Sequence, residues 1–84
     1  MDKSLYTDEY AVLLALLRDT RRAAKVTQTQ LAERIKETQS QVSKLERGEV
    51  RLDAIELRTI LLALGTTLPA FVTKLEKRLA RAEK

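Results

Sequence analysis

Apolar residues recur along this chain at intervals of three and four, the spacing that places them on one face of an α-helix. The first such segment runs from about Asp8 to Ala24 and has two apolar strips, so more than one neighbouring element must cover it. The last segment, about 68–82, has a single stripe that should face the body of the domain. Its members are Leu68, Phe71, Val72, Leu75 and Leu79. Because no alternating strand-like pattern occurs, the chain is predicted to be all-α.

Two helix starts lie eleven residues apart in the middle of the chain. Each has the capping-box pattern, in which a Thr and the Gln three residues later satisfy free backbone donors. The pairs are Thr27 with Gln30 and Thr38 with Gln41. The second helix of the unit should end at Gly48, the residue best suited to a left-handed C-cap. Two short helices at this separation predict a helix-turn-helix over about 27–48.

The fourth and fifth helices also have recognisable ends. Asp53 and Glu56 form the Asp/Glu version of the capping box, so the fourth helix should begin at Ala54 and stop before Gly65. The fifth should begin after a Thr67 cap, with a proline tolerated in its first turn. The sequence therefore predicts five helices.

Composition limits the chemistry that this chain can perform. Its 84 residues, 44% hydrophobic and 33% charged, suffice for one small globular domain spanning 1–84. The absence of cysteine and histidine excludes disulfides, thiolate metal sites and the commonest catalytic base. The sequence contains no pattern of a nucleophile with its base, a metal cluster or a phosphate loop, so we expect neither an enzyme nor a cofactor or metal.

Targeting signals are not evident, and the net charge is positive. Residues 1–9 lack the basic and apolar regions of a signal peptide, and the longest apolar run, Ala11 to Leu17, has seven residues, too few for a membrane span. We therefore expect a cytoplasmic protein. The net charge of +4 favours polyanions through counterion release, although a moderate surplus can also serve solubility alone.

The second helix of the 27–48 unit has an outer face suited to nucleic acid. Four residues without an acidic member lie opposite the apolar Val42 and Leu45: Ser40, Ser43, Lys44 and Arg47. Their hydroxyl, ammonium and guanidinium groups suit phosphates and base edges, and an α-helix fits the major groove of B-DNA. The alternative is an ordinary solvated helix, whose outer face would also be polar.

These residues resemble the phage Cro and repressor class of helix-turn-helix proteins, also called the XRE class. The resemblance covers roughly residues 13 to 72. It is carried by Gln28, Leu31-Ala32, Gln39-Ser40-Gln41-Val42-Ser43, Leu45-Glu46-Arg47-Gly48 and Ile60-Leu61-Leu62-Ala63-Leu64-Gly65. It implies a lambda-repressor-like fold of five helices, in which helix 39–47 enters the major groove and Gln28 binds a phosphate beside it.

The resemblance also implies contacts outside that helix. Arg21 would pair with Glu46 and tie the first helix to the recognition helix, the alternative being two unrelated surface charges. Arg47 and Arg51 would contact phosphates, although Arg51 could equally be a solvated loop residue. In one departure from the family pattern, Lys36 stands where a glycine with positive φ is usual, at a cost of order 1 kcal/mol.

Together these features predict a sequence-specific regulator of transcription that binds double-stranded DNA, acts as a repressor and is nucleoid-associated when bound. The expected DNA contacts are Gln28, Thr38, Gln39, Ser40, Gln41, Ser43, Lys44, Arg47 and Arg51. Of these, Gln39, Ser40 and Lys44 would read bases, while Gln28 and Arg47 would position the DNA backbone. The alternative is an antitoxin-like or other protein-binding module whose DNA binding is secondary.

Two apolar residues of the fourth helix predict a homodimer. Ile55 and Leu62 share the side opposite the inner face, which consists of Leu57, Ile60, Leu61 and Leu64. The fifth helix could cover them, but its single stripe must also shield the wide apolar surface of the first helix. Because XRE-class proteins commonly pair through the region after the recognition helix, we expect a twofold interface at Ile55 and Leu62 and a near-palindromic operator.

Overall fold

The computed structural model describes residues 8–82, which form five α-helices. They are α1 (Asp8–Ala23), α2 (Gln28–Ile35), α3 (Gln39–Arg47), α4 (Ala54–Ala63) and α5 (Leu68–Ala82). The predicted all-α fold and its order of helices are confirmed. Residues 1–7, which belong to the stretch without signal-peptide character, lie outside the described part of the chain.

The helix starts follow their capping residues. At α2 the box is complete, since Thr27 Oγ1 accepts from the Gln30 N–H at 3.0 Å and Gln30 Oε1 accepts from the Thr27 N–H at 2.9 Å. Asp53 and Glu56 make the same two bonds at α4. At α3 only half of the box forms: Thr38 Oγ1 accepts from the Gln41 N–H at 3.1 Å. The full box predicted there is wrong: the Gln41 side chain makes no bond back to the Thr38 N–H and instead lines a hollow between α3 and α4.

Left-handed residues end the two helices of the helix-turn-helix. Lys36 has φ 61° and ψ 44°, and Gly48 has φ 79°. In the turn after α2, the Glu37 N–H donates to the Ala32 carbonyl at 2.9 Å. The backbone at Lys36 is therefore the positive-φ turn that the family resemblance implies, adopted here by a residue with a side chain.

The core lies between the five helices, each of which contributes buried side chains. α1 packs against α3 and α5, α2 against α3 and α4, and α4 against α5. The buried cluster comprises Leu16, Leu17, Val26, Leu31, Ala32, Val42, Leu45, Leu57, Ile60, Leu61, Leu64 and Phe71. The prediction that α1 needs two covering neighbours is thus confirmed. Placing Val72 in the inner stripe of α5 was wrong: Phe71 fills that contact, and Val72, one position further around the helix, is 39% exposed.

α4 and α5 meet at a corner with a bend of 107°. Gly65, with φ 81°, allows the chain to turn, and Thr67 Oγ1 accepts from the Ala70 N–H at 3.3 Å to start α5. The outer side of α4 remains uncovered by α5, since Ile55 is 72% and Leu62 50% exposed. Within residues 8–82 no single helix is long and apolar enough to cross a membrane, and the bent α4–α5 pair meets only the criteria of length and composition.

Candidate nucleic-acid interface

α3 presents one polar face away from the rest of the domain. Its buried side chains are Val42, Leu45 and Glu46, which contact the body of the protein. Its exposed side chains are Gln39, Ser40, Lys44 and Arg47, with Ser43 half-buried among them. Every exposed side chain of α3 is therefore uncharged or basic. The helix offers donors and acceptors without an acidic group that would repel phosphate.

A buried ion pair holds α3 against α1. Arg21 Nε donates to Glu46 Oε2 at 2.7 Å, and Nη2 donates to Oε1 at 3.1 Å. The remaining terminal nitrogen, Nη1, donates to the carbonyl of Val26 at 2.9 Å. Arg21 is 7% and Glu46 5% exposed, so the structure brings together the two residues that the family resemblance pairs. α3, α1 and the corner before α2 are joined at one point.

Two glutamines extend this pair to the surface. Gln28 Nε2 donates to Glu46 Oε1 at 2.9 Å, and Gln39 Nε2 donates to Gln28 Oε1 at 2.8 Å. Sequence reasoning assigned both glutamines to DNA but missed their contact with each other. Their separation of eleven residues gives no helical signal, since they lie on different helices and at the first position of each. One amide of the interface is thereby connected to the buried carboxylate.

The end of α3 carries a second, exposed pair. Arg47 Nε donates to Glu49 Oε2 at 2.7 Å, and Nη1 donates to Ser43 Oγ. The hydrogen bond from Arg47, aided by its charge and that of Lys44, holds the pKa of the Glu49 carboxyl below its usual range. The same bond raises the pKa of the Arg47 guanidinium. Glu49 was missed from the sequence, although a carboxylate two positions after a predicted phosphate-binding Arg is a signal that could have identified it.

Arg51 packs on an aromatic ring of α1. Its guanidinium carbon is 4.7 Å from the centre of the Tyr10 ring, within the range of a cation–π contact. The Tyr10 hydroxyl accepts from the backbone N–H of Leu52 at 3.2 Å, which ties this loop to α1. Arg51 is exposed, but it is stacked on an aromatic ring rather than extended as a simple solvated loop residue.

The predicted contacts thus fall into two groups. Around the α3 face lie Gln28, Thr38, Gln39, Ser40, Ser43, Lys44 and Arg47. Gln41 is half-buried and lines the hollow between α3 and α4, together with Leu45 and Ile55.

Sequence reasoning also missed Arg34, whose Nη1 donates to the Ala63 carbonyl at 2.9 Å and fixes α2 to the end of α4.

Two short helices joined by a tight turn, the second presenting a polar basic face, define the helix-turn-helix class. Residues 17–71 match the model of a family described as helix-turn-helix. An XRE-family like protein from Pseudomonas syringae pv. tomato str. DC3000 is 44% identical, with 83% of this chain and 85% of that chain covered and a TM-score of 0.78. Two structures of the clp gene regulator ClgR from Corynebacterium glutamicum are each 26% identical. No curated protein matches the chain.

The two ClgR structures differ slightly in their overlap with this chain. One covers 92% of this chain and 82% of its own, with a TM-score of 0.79. The other covers 87% and 95%, with a TM-score of 0.75. Because the family model spans more than half of the sequence and the Pseudomonas protein is similar in both sequence and structure, the chain belongs to the XRE family of helix-turn-helix proteins. Its broad role is that of a DNA-binding transcriptional regulator.

Proposed function

We propose that this protein is a sequence-specific repressor that inserts α3 into the major groove of double-stranded DNA. The observation that carries the proposal is the exposed α3 face, whose side chains are all neutral or basic and project beside the turn after α2. The similarity to ClgR, which is named a clp gene regulator, supports a regulatory role. A repressor needs only occupancy of its operator, and the protein offers the groove-sized helix for this.

The side chains divide by position along the α3 face. Gln39, Ser40 and Lys44 lie on the first two turns of the helix and are exposed, the arrangement suited to base edges. Gln28 at the start of α2 and Arg47 at the end of α3 flank them and suit phosphates. Thr38, whose hydroxyl oxygen caps α3 but retains its own proton, and Ser43 complete the set. Gln41 and Arg51 are secondary members at the margins.

A symmetric dimer is the second part of the proposal. Ile55 and Leu62 form an exposed apolar strip on α4, and the strip adjoins a hollow of about 140 Å³. A second copy of the chain would cover both. Twofold pairing would place two recognition helices about 34 Å apart and require half-sites about 10 bp apart in a near-palindromic operator.

The test separates base readers from phosphate contacts. A preferred site is first obtained by selecting bound sequences from a random DNA pool. Lys44→Ala should then weaken binding by about 1 to 3 kcal/mol and relax the preference at one base pair, whereas Arg47→Ala should weaken all sequences equally and reduce the salt slope by about one unit. Lys74→Ala, an exposed charge on α5, is the matched control. Unchanged affinity and unchanged preference in Lys44→Ala would refute the proposed docking.

A further inference from the structure

Four side chains form one continuous line of hydrogen bonds from the core to the surface of α3. Glu46 receives two bonds from Arg21, at 2.7 and 3.1 Å, and a third from Gln28 at 2.9 Å. Gln28 in turn receives a bond from Gln39 at 2.8 Å. The line begins at a buried group and ends at an exposed amide on the first residue of the recognition helix.

The buried end determines the direction of every bond in this line. A carboxylate has only acceptors, and here both oxygens already accept from Arg21. Gln28 must therefore turn its NH₂ group toward Glu46, which leaves its carbonyl oxygen facing Gln39. Gln39 must donate to that oxygen from its own NH₂ group. Its Oε1 and its second N–H then remain for a ligand.

We propose that Glu46 is a specificity-determining positioning residue, which makes Gln39 select adenine over guanine. The inference rests on the proposed function. Adenine offers a donor at N6 and an acceptor at N7, the complement of one oxygen and one N–H. Guanine offers acceptors at both O6 and N7, so it would place its O6 against Gln39 Oε1. In the reversed line Gln39 would accept from Gln28 and present two N–H donors, which match guanine.

The connection also removes the freedom of the Gln39 side chain before DNA arrives. An exposed glutamine normally samples many rotamers, and ordering it on binding reduces affinity. The bond to Gln28 holds the amide in one orientation in the free protein. Specificity at this base pair therefore depends on a residue that makes no contact with the base.

Binding measurements that compare adenine with guanine at one base pair test the role of Glu46. The position read by Gln39 is the one at which Gln39→Ala loses its preference in the selected site. There the wild type should favour adenine by about 5- to 150-fold, the range for one bidentate pair. Glu46→Gln gives the buried group a donor, which permits the reversed line, and should reduce that ratio at least about fivefold. The charge-matched control, Glu33→Gln on the exposed side of α2, should leave the ratio unchanged.

A second variant covers the case in which Glu46→Gln does not fold. Gln28→Met keeps the ion pair, breaks the line and should reduce the adenine-to-guanine ratio in the same way. In ¹⁵N-labelled free protein, Gln28→Met should also move the side-chain NH₂ resonances of Gln39. If a preferred site exists and its adenine-to-guanine ratio is unchanged in Gln28→Met and in folded Glu46→Gln, the inference is overturned and the proposed function is not. A wild type without any preferred site would overturn the proposed function and the inference with it.

Discussion

The guanidinium of Arg21 and the carboxylate of Glu46 form a buried two-point ion pair across 25 positions of sequence. The pair joins the C-terminal end of α1 to the last turns of α3. The Val26 carbonyl accepts a further hydrogen bond from Nη1 of the same guanidinium, at 2.9 Å. Both charged groups are therefore satisfied by protein atoms, which is what allows them to be buried at all.

Breaking this pair should destabilise the fold strongly. Arg21→Ala leaves the buried Glu46 carboxylate without its charged partner, and we expect it to lower the free energy of unfolding by about 3 kcal/mol or more. Glu46→Gln should cost less, because its amide oxygen still accepts from Arg21. Thermal or urea unfolding of each variant measures both effects.

The matched control for Arg21→Ala is Arg78→Ala. Arg78 donates to Asp19 at 3.0 Å in an exposed α1–α5 pair, whose loss should cost at most about 1 kcal/mol. If Arg21→Ala and Arg78→Ala unfolded at the same denaturant concentration, the buried Arg21–Glu46 pair would contribute no more to stability than the exposed Arg78–Asp19 pair.

Local signals were enough to predict most helix boundaries. Thr27 and Asp53 cap α2 and α4 through bonds to residues three positions away, so the deciding chemistry lies within one turn of sequence. Gly48 ends α3 for a similarly local reason, its left-handed backbone. Such features depend little on tertiary packing, and a single sequence contains them in full.

Contacts between helices were not readable in the same way. Gln41 does not complete its capping box, and its side chain lines a hollow beside α4 that nothing within one turn of Thr38 indicates. The Gln28–Gln39 bond likewise depends on how α2 and α3 cross. Arg21 and Glu46 were paired only through the family resemblance, since either charge taken alone is typical of a helix surface.

The left-handed Lys36 predicts an available gain in stability. A residue with a side chain costs roughly 1 to 2 kcal/mol at φ 61°. Glycine avoids this strain but loses more chain entropy on folding, so only part of the cost is recovered. Lys36→Gly should therefore stabilise the protein by about 0.5 to 1 kcal/mol in urea unfolding. Lys25→Gly, at the other Lys with φ 61°, should act in the same direction.

The control for these variants is a glycine placed in a helix. Lys74→Gly, inside α5 and exposed, should destabilise by about 1 kcal/mol. A loss of stability in Lys36→Gly of comparable size would show that the Lys36 side chain contributes more than its backbone strain costs.

The exposed pair at the end of α3 predicts a pH dependence. Because Arg47 lowers the pKa of Glu49 in the folded protein, the pair stabilises the fold above the usual carboxyl range and loses this contribution as pH falls through the lowered pKa. NMR titration of the Glu49 carboxyl should give a midpoint below that of an ordinary glutamate. Arg47→Ala should move the midpoint upward, while Arg78→Ala should not. If Arg47→Ala left the titration midpoint of Glu49 unchanged, the Arg47–Glu49 pair would not be maintained in solution.

The last prediction concerns the apolar strip of α4. Ile55 and Leu62 lie seven positions apart on one side of the helix, and Ile55 also borders the hollow lined by Ile35, Leu45 and Ile60. A cavity of about 150 Å³ admits a molecule the size of benzene, so a hollow of about 140 Å³ can accept one aliphatic side chain of a second copy. Twofold pairing would let each copy fill the hollow of the other.

Leu62→Glu should convert a dimer into a monomer, because it places a charge where the partner's apolar surface would remove it from water. Light scattering at micromolar concentration should give twice the mass of one chain for the wild type and the mass of one chain for Leu62→Glu. Ala80→Glu, which adds the same charge at an exposed position of α5, should remain dimeric. Circular dichroism of both variants checks that the helices are intact. If Leu62→Glu dimerised as the wild type does, the interface would have to lie on another surface, and half-site spacing could no longer be inferred from α4.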